Sequence, residues 1–206
     1  PVPAPLIEAA RTMGFPIAPT YGLTEASSQV ATRRPEDPPT AGLSALAGTE
    51  LKIIDDTGAS LPVDRPGEIC VRSGSVMTGY WNRPEATHKT LQGGWLHTGD
   101  VGSLNGDGRL LVHDRRSDLI VSGGENIYPA EIESCLLTYP GCIEAAVIGM
   151  DSAKWGEEVA AVMRCELPAA SGDADDVRAH CKHHLAGFKV PAQIIFTDEA
   201  FPRNAV

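Results

Sequence analysis

The sequence is poor in basic residues and contains no long apolar run. Its 206 residues include 17 Lys and Arg against 27 Asp and Glu, which gives a formal net charge of −10. A nucleic-acid backbone or an anionic lipid surface attracts a positive protein face, so this balance disfavours both as partners. No apolar stretch approaches the roughly 18 residues of a transmembrane helix, and we therefore expect no membrane span.

Several catalytic and metal-binding signatures are also missing. The chain has no G-x-x-x-x-G-K-[ST], G-x-G-x-x-G, H-E-x-x-H or G-x-S-x-G motif. Its five cysteines include no C-x-x-C pair, which favours small buried residues in a reducing compartment over a zinc site or a disulfide framework. His180, Cys181 and His184 share one predicted helix, but no third metal ligand is evident. A solvated helix face remains the alternative to a metal site there.

The pattern of apolar residues and turns predicts an α+β fold in two parts. Up to about residue 113, short apolar runs alternate with glycine-rich turns such as 105–108, typical of a small, strongly bent β-unit. From about residue 118, helices are predicted at 130–138 and 173–185, with strands at 143–150, 158–164 and 193–197. The short segment 114–117 joins the two parts.

The run Tyr21-Gly22-Leu23-Thr24-Glu25 is the first candidate site. It combines an aromatic face, a flexible glycine, a hydroxyl and a carboxylate, which together suit base stacking, close approach to a phosphate and a hard divalent cation. A plain loop is the alternative. Asp100, after Thr98 and Gly99, is suited to accept hydrogen bonds from a diol, or is an ordinary turn aspartate.

Two further candidates follow the junction. Gly123 and Gly124 place two glycines where we expect one to complete a hairpin, so a ligand could approach the backbone closely. The alternative is a type I′ or II′ turn. Trp155, which precedes Gly156, is either a core residue or a stacking platform.

Seven segments, taken in order, resemble the adenylate-forming superfamily of acyl-CoA ligases. The resemblance covers nearly the whole chain from about residue 15 and depends on the segments 21–25, 66–72, 79–85, 95–100, 114–118, 122–130 and 154–157. It implies that residues 1–113 are the C-terminal part of a large AMP-binding domain and that 114–117 form a hinge. Residues 118–206 are then a small mobile C-terminal domain.

The resemblance implies a reaction in two steps. A small carboxylic acid attacks the α-phosphate of ATP to give an acyl-adenylate and pyrophosphate, and the thiol of coenzyme A then displaces AMP. By the same resemblance, Tyr21 stacks on adenine with Gly22 beside the nucleotide. Thr24 and Glu25 are the catalytic pair, in which Thr24 holds the phosphate and Glu25 binds Mg²⁺.

The remaining implied roles concern the ribose, the hinge and coenzyme A. Asp100 and Arg115 would hold the ribose hydroxyls, and Ser117 would be the residue about which the small domain swings. Gly123 and Gly124 would line the pantetheine tunnel, with Trp155 near the coenzyme A side.

Two elements of the superfamily are absent from these 206 residues. Its Ser/Thr/Gly-rich phosphate loop lies upstream of Tyr21, and its adenylation lysine follows a segment like 202–205, whereas Lys189 is not that residue by position. We therefore expect a C-terminal fragment that is inactive by itself and needs the missing N-terminal part. A non-catalytic module that only binds nucleotide or coenzyme A is the alternative.

The acid substrate is less constrained by these residues. The segments 28–32 and 114–120 resemble most the o-succinylbenzoate–CoA ligases of menaquinone synthesis, while fatty-acyl and aryl-acid CoA ligases share most of the same motifs. The resemblance implies a cytoplasmic protein, and it leaves a homodimer open.

Overall fold

The computed structural model of the chain describes residues 4–166 and 173–202. The segment 203–206, which bears on the adenylation lysine, lies outside the described residues. The elements, in chain order, are α1 (Ala4–Thr12), β1 (Thr20–Leu23), β2 (Ser28–Thr32), β3 (Ser44–Ala45), β4 (Thr49–Ile54), β5 (Gly67–Ser73), α2 (Pro84–Thr90), β6 (Leu91–Gln92), β7 (Trp95–Leu104), β8 (Leu110–Arg115), β9 (Ile120–Ser122), β10 (Glu125–Ile127), α3 (Pro129–Leu136), β11 (Cys142–Ser152), β12 (Gly156–Cys165), α4 (Ala174–His184) and β13 (Gln193–Thr197). The predicted α+β class is confirmed.

The chain divides into two compact units. Residues 10–117 form one of them, here called the β-unit, and residues 118–206 with 1–9 form the other, here called the small unit. The division falls between Ser117 and Asp118, within the short 3₁₀ turn Arg116–Asp118.

Two antiparallel sheets build the β-unit. The first has the order β1-β2-β3, and the second has the order β4-β5-β7-β6 with β8 paired to β7. The β7–β8 hairpin turns at Asn105, whose Oδ1 accepts hydrogen bonds from the backbone N–H groups of Asp107 (3.1 Å) and Arg109 (2.9 Å). Burial of alternate apolar side chains from both sheets gives one core, formed by Tyr21, Ala26, Val30, Ala31, Ile53, Ile69, Val71, Leu96 and Leu110.

The small unit is one five-stranded sheet with helices α3 and α4 against its core. The strand order is β10-β9-β12-β11, and β13 pairs with β12 in parallel. Helix α3 begins at Pro129, whose missing N–H is harmless in the first turn. Asp173 is the N-cap of α4, and its carboxylate accepts from Asp175 N at 3.0 Å. The core consists of Ile120, Ile127, Ile132, Cys135, Leu136, Val147, Val159, Ala161, Met163, Cys165, Val177 and Cys181.

Some sequence-based predictions of elements were wrong or incomplete. The run 59–62 after the turn 56–58 is typical of a returning strand, but it forms none and pairs only through the bridge between Ile54 and Ser60. Strand β2 and helix α2 were not anticipated, because β2 carries polar residues and α2 is only seven residues long. The sequence pattern favours separate runs at 95–100 and 102–104. In the structure, residues 95–104 form one continuous strand, whose register shifts at Val101/Gly102.

In helix α4, His180 and Cys181 face the small unit rather than a metal site. His180 Nε2 lies 2.9 Å from Thr138 Oγ1 and 3.2 Å from the carbonyl oxygen of Cys135, and Cys181 is fully buried in the core. Among the described residues, no group of three His, Cys, Asp or Glu side chains is placed to hold a metal ion. The five cysteines are free thiols. A search of the described helices finds none both long and apolar enough to cross a membrane.

Candidate functional site

Tyr21 and Asp100, 79 residues apart in sequence, meet in the interior of the β-unit. The Tyr21 hydroxyl donates a 2.7 Å hydrogen bond to Asp100 Oδ2, and both residues are buried, with 9% and 8% of their surface exposed. Burial raises the pKa of Tyr21 well above its ordinary value, and the neighbouring Asp100 carboxylate raises it further. Tyr21 therefore stays a neutral donor that fixes one oxygen of Asp100.

Strand pairing brings Arg115 to the same carboxylate. Asp100 on β7 lies directly opposite Arg115 on β8, and Arg115 Nε is 3.4 Å from Asp100 Oδ1. The Arg115 side chain is 73% exposed, so its guanidinium remains open to a ligand. Thr98 Oγ1 accepts from Asp100 N at 3.1 Å and donates to the Ile69 carbonyl at 2.8 Å. The structure thus brings together Tyr21, Asp100 and Arg115, three residues that the sequence analysis singled out.

The fold explains why residue 22 is a glycine, and sequence reasoning missed this explanation. The register between β1 and β2 shifts between Tyr21 and Gly22, and a Cβ atom at Gly22 would lie 1.8 Å from the Ser28 carbonyl oxygen. No side chain fits at that distance, so glycine is required by the close approach of β2. The fold of this hairpin explains the residue without a ligand, and its predicted place beside the nucleotide remains a prediction.

Thr24 and Glu25 lie in a one-turn 3₁₀ helix directly after β1. This turn, Thr24–Ala26, ends at Ser27 in the left-handed conformation (φ 56°), so the chain reverses sharply into β2. Thr24 is exposed, and it lines a shallow depression of about 510 Å³ together with Thr20, Gly22, Leu23, Ser27, Ser28 and Gln29. The turn therefore presents the Thr24 hydroxyl to solvent at the edge of the β1–β2 sheet.

Glu25 has a partner that the sequence did not predict. The Tyr80 hydroxyl donates to Glu25 Oε1 at 2.7 Å, and Met77 N donates to the Glu25 carbonyl oxygen at 2.8 Å. The hydrogen bond to Glu25 raises the pKa of Tyr80. The segment 79–85 was recognised as a motif, but only tertiary contact shows that its tyrosine reaches Glu25.

The residues around Glu25 fit a magnesium ion that is shared with a phosphate ligand. Mg²⁺ prefers oxygen ligands and is commonly held by one or two carboxylates together with substrate phosphates and water. The half-buried Glu25 carboxylate and the exposed Thr24 hydroxyl supply such oxygens. Since the described residues hold no cluster of three potential ligands, the ion would need phosphate oxygens to complete its shell.

Gly123 and Gly124 form the two-residue turn of the β9–β10 hairpin in the small unit. Both have positive φ angles, 59° and 88°, as the two central residues of a type I′ turn require. The alternative given in the sequence analysis, a type I′ turn, is therefore confirmed. A Cβ at Gly124 would meet nothing within 4 Å, whereas a Cβ at Gly123 would lie 3.0 Å from the Trp155 ring.

Trp155 lies against this turn and lines a cavity of about 320 Å³. Its carbonyl oxygen accepts from Gly123 N at 2.8 Å, and Lys154 Nζ lies 4.4 Å from its ring centre. The other lining residues are Ser122, Glu125, Glu158, Val159, Gly187, Phe188, Val190 and Ala192. With 46% of its surface exposed, Trp155 is not a core residue, and its role as a stacking platform stays a prediction.

Ser117 is exposed at the division between the two units. It lies in the 3₁₀ turn Arg116–Asp118, and the neighbouring Arg116 forms a 2.6 Å ion pair with Asp56 in the β-unit. The predicted hinge role of Ser117 stays a prediction.

Comparisons with known proteins identify the family of the chain. A family model described as AMP-binding enzyme matches residues 1–81, and one described as AMP-binding enzyme C-terminal domain matches residues 131–206. The 2-succinylbenzoate–CoA ligase of Geobacillus kaustophilus is 49% identical over the whole chain, which spans 42% of that relative's length.

Solved structures of one relative match nearly the whole chain. The o-succinylbenzoate coenzyme A synthetase of Bacillus subtilis in complex with the acyl-adenylate intermediate OSB-AMP has a TM-score of 0.88. The same enzyme in complex with ATP and a magnesium ion has a TM-score of 0.87. Both are 43% identical, and the match covers 99% of this chain and 42% of theirs. The chain belongs to the AMP-binding enzyme family, with matches to both its AMP-binding and its C-terminal domain models.

Proposed function

We propose that the protein to which this chain belongs is an AMP-forming acid–CoA ligase that acts on o-succinylbenzoate. The observation that carries this proposal is the buried Tyr21–Asp100 hydrogen bond with Arg115 at the open side of the same carboxylate. A hydrogen bond and an ion pair thus join three residues from two sheets. Tyr21, one of the three, is three residues before Thr24 in the sequence.

The first role of this group is to bind the nucleotide. The Asp100 carboxylate would accept hydrogen bonds from the ribose hydroxyls, and the exposed guanidinium of Arg115 would donate to ribose or phosphate oxygens. Because Tyr21 and Thr98 fix Asp100, its orientation is set before the nucleotide arrives. The Tyr21 ring would lie against adenine with Gly22 beside it.

The second role is to stabilise the charge that develops on the phosphates. The Thr24 hydroxyl would donate a hydrogen bond to an α-phosphate oxygen as the substrate carboxylate attacks, and Glu25 would hold Mg²⁺. When bound, Mg²⁺ supplies charge neutralisation at the phosphate oxygens. Thr24 and Glu25 are adjacent in one turn, so both would act on the same phosphate group.

The cavity of the small unit would serve the second half-reaction. Its apolar lining, including Trp155 and Phe188, suits the pantetheine chain of coenzyme A, and the Gly123–Gly124 turn presents backbone without side chains. Ser117 would be the hinge that lets the small unit serve thioester formation.

The acid substrate is proposed from the relatives. Their names state 2-succinylbenzoate–CoA ligase at 45–49% identity, and one solved relative holds OSB-AMP. We place the protein in the cytoplasm, because its thiols are free and because coenzyme A and ATP are abundant there.

A segment exchange tests the proposal. The 206 residues replace the matching segment of the Bacillus subtilis synthetase, and pyrophosphate release and acyl-CoA formation are measured with o-succinylbenzoate, benzoate and a medium-chain fatty acid. We expect both half-reactions with o-succinylbenzoate and at least about tenfold lower kcat/KM with the other acids. The isolated chain is expected to release no pyrophosphate, because it contains no phosphate loop.

The exchange has two informative failures. A folded chimera that binds ATP but forms no adenylate with any acid would support the non-catalytic module instead. A chimera that forms the adenylate but no acyl-CoA would remove the coenzyme A role from the small unit.

A further inference from the structure

The turn that carries Glu25 is held by the segment that follows β5. Ser27 Oγ donates to the Ser75 carbonyl at 2.8 Å, and Met77 N donates to the Glu25 carbonyl at 2.8 Å. The third contact is the 2.7 Å hydrogen bond from the Tyr80 hydroxyl to Glu25 Oε1. The first contact is made by the side chain of Ser27, directly after the turn, and the second by the Glu25 backbone. Of the three contacts, only the Tyr80 hydrogen bond reaches the Glu25 carboxylate.

Helix α2 in turn fixes the position of Tyr80. Thr87 Oγ1 accepts from Tyr80 N at 2.9 Å and donates to the Arg83 carbonyl at 2.9 Å. Gly79 lies so close to this threonine that a Cβ there would be 2.8 Å from Thr87 Cγ2. Residues 79 and 80 therefore pack closely against helix α2, and this contact fixes the position of the Tyr80 backbone.

The hydrogen bond from Tyr80 decides which oxygen of the Glu25 carboxylate is available to a ligand. A half-exposed glutamate samples several rotamers, whereas a short hydrogen bond from a tyrosine to Oε1 selects one of them and directs the second oxygen outward. Tyr80 is 36% exposed, so its hydroxyl can act at the surface without being part of the core.

We propose that Tyr80 is a positioning residue that holds the Glu25 carboxylate ready for the phosphate-bound magnesium ion. This inference deepens the proposed function and rests on it, since Glu25 is the proposed magnesium ligand. Tyr80 acts through Glu25 and does not itself touch the metal or the substrate.

The kinetic test uses Tyr80→Phe in the segment-exchange enzyme, with adenylation measured against Mg²⁺ concentration. Outer partners of metal ligands typically contribute about tenfold or more to metal affinity, so the half-saturating Mg²⁺ concentration should rise about tenfold. The rate at saturating Mg²⁺ should stay within about threefold of the parent. Tyr139→Phe, a tyrosine change in the small unit, is the matched control and should change neither.

A double-mutant cycle separates positioning from a general structural role. In a Glu25→Gln background, Tyr80→Phe should add no further increase in the Mg²⁺ requirement, because the carboxylate that it orients is gone. An equal increase in both backgrounds would overturn the proposal, as would a fall in rate without any change in Mg²⁺ dependence.

A measurement on the 206-residue chain itself needs neither metal nor activity. Side-chain ¹³C relaxation of Glu25 should show a restricted carboxylate arm in the parent and a mobile one in Tyr80→Phe, with backbone amide shifts of β1 and β2 unchanged. Equal mobility in both proteins would refute the proposal. If the parent exchange enzyme forms no adenylate, the proposed function fails, and this relaxation result still decides whether Tyr80 orients Glu25.

Discussion

Removal of one hydroxyl, in Tyr21→Phe, should destabilise the β-unit while leaving its shape intact. The ring and its packing stay, but Asp100 Oδ2 loses a 2.7 Å donor in a place where only 8% of the residue is exposed. A hydrogen bond to a charged group contributes about 1.5–3 kcal/mol, so we expect a loss of about 2 kcal/mol at pH 7. Arg115 compensates little, because its side chain is largely exposed and lies 3.4 Å away.

The loss should depend on pH in a defined direction. Burial raises the pKa of Tyr21 in the folded chain above its ordinary value of 10.0, so the folded state holds this proton more tightly than the unfolded state. The corresponding stability is fully present below pH 10 and is lost as the pH rises above it. Between pH 7 and pH 11 the free energy of unfolding of the parent should therefore fall by about 1.4 kcal/mol more than that of Tyr21→Phe. The difference in stability between the two proteins should shrink by the same amount.

The assay must report the β-unit alone, because two units need not unfold together. Trp95 is the reporter once Trp81 and Trp155 are replaced by Phe, since Trp95 packs against Lys52 and Arg72 at 4.5 Å in the β-unit. Urea unfolding followed by its fluorescence gives the free energy of unfolding at each pH. Tyr139→Phe in the small unit should leave this transition unchanged. The reasoning would be refuted if Tyr21→Phe lowered the free energy of unfolding by less than about 0.5 kcal/mol at pH 7. It would also be refuted if the difference between the two proteins did not shrink above pH 10.

Three further changes test other parts of the site. Gly22→Ala should prevent stable folding of the β1–β2 hairpin, because its Cβ would lie 1.8 Å from the Ser28 carbonyl; Gly106→Ala, where nothing lies within 4 Å, should fold normally by circular dichroism. Arg115→Ala in the segment-exchange enzyme should raise the KM for ATP about tenfold while the urea midpoint stays unchanged, and a lowered midpoint would make its role structural. Gly124→Leu should retain single-turnover adenylation and lose transfer to coenzyme A; equal loss of both steps would leave the glycine with only its turn role.

The sequence by itself determined the class of the fold and most of its elements. Strand β13 occupies the predicted residues 193–197, and the helices predicted at 130–138 and 173–185 differ from α3 and α4 by one or two residues at each end. These elements could be predicted because their signals come from residues that are close in sequence. The signals are apolar periodicity, a proline or aspartate at the start and a turn at the end. Resemblance then singled out Tyr21, Asp100 and Arg115 as members of one site.

Only the tertiary structure decided how these residues act on each other. Tyr80 and Glu25 are 55 residues apart, and no periodicity links a tyrosine before α2 to a turn after β1. The same holds for Gly22, where the register of β2 leaves no room for a side chain. It also holds for Gly123, which lies against the Trp155 ring. Contacts between distant segments depend on strand register and on close backbone approach, and these are properties of the folded chain that residue types at fixed spacing do not encode.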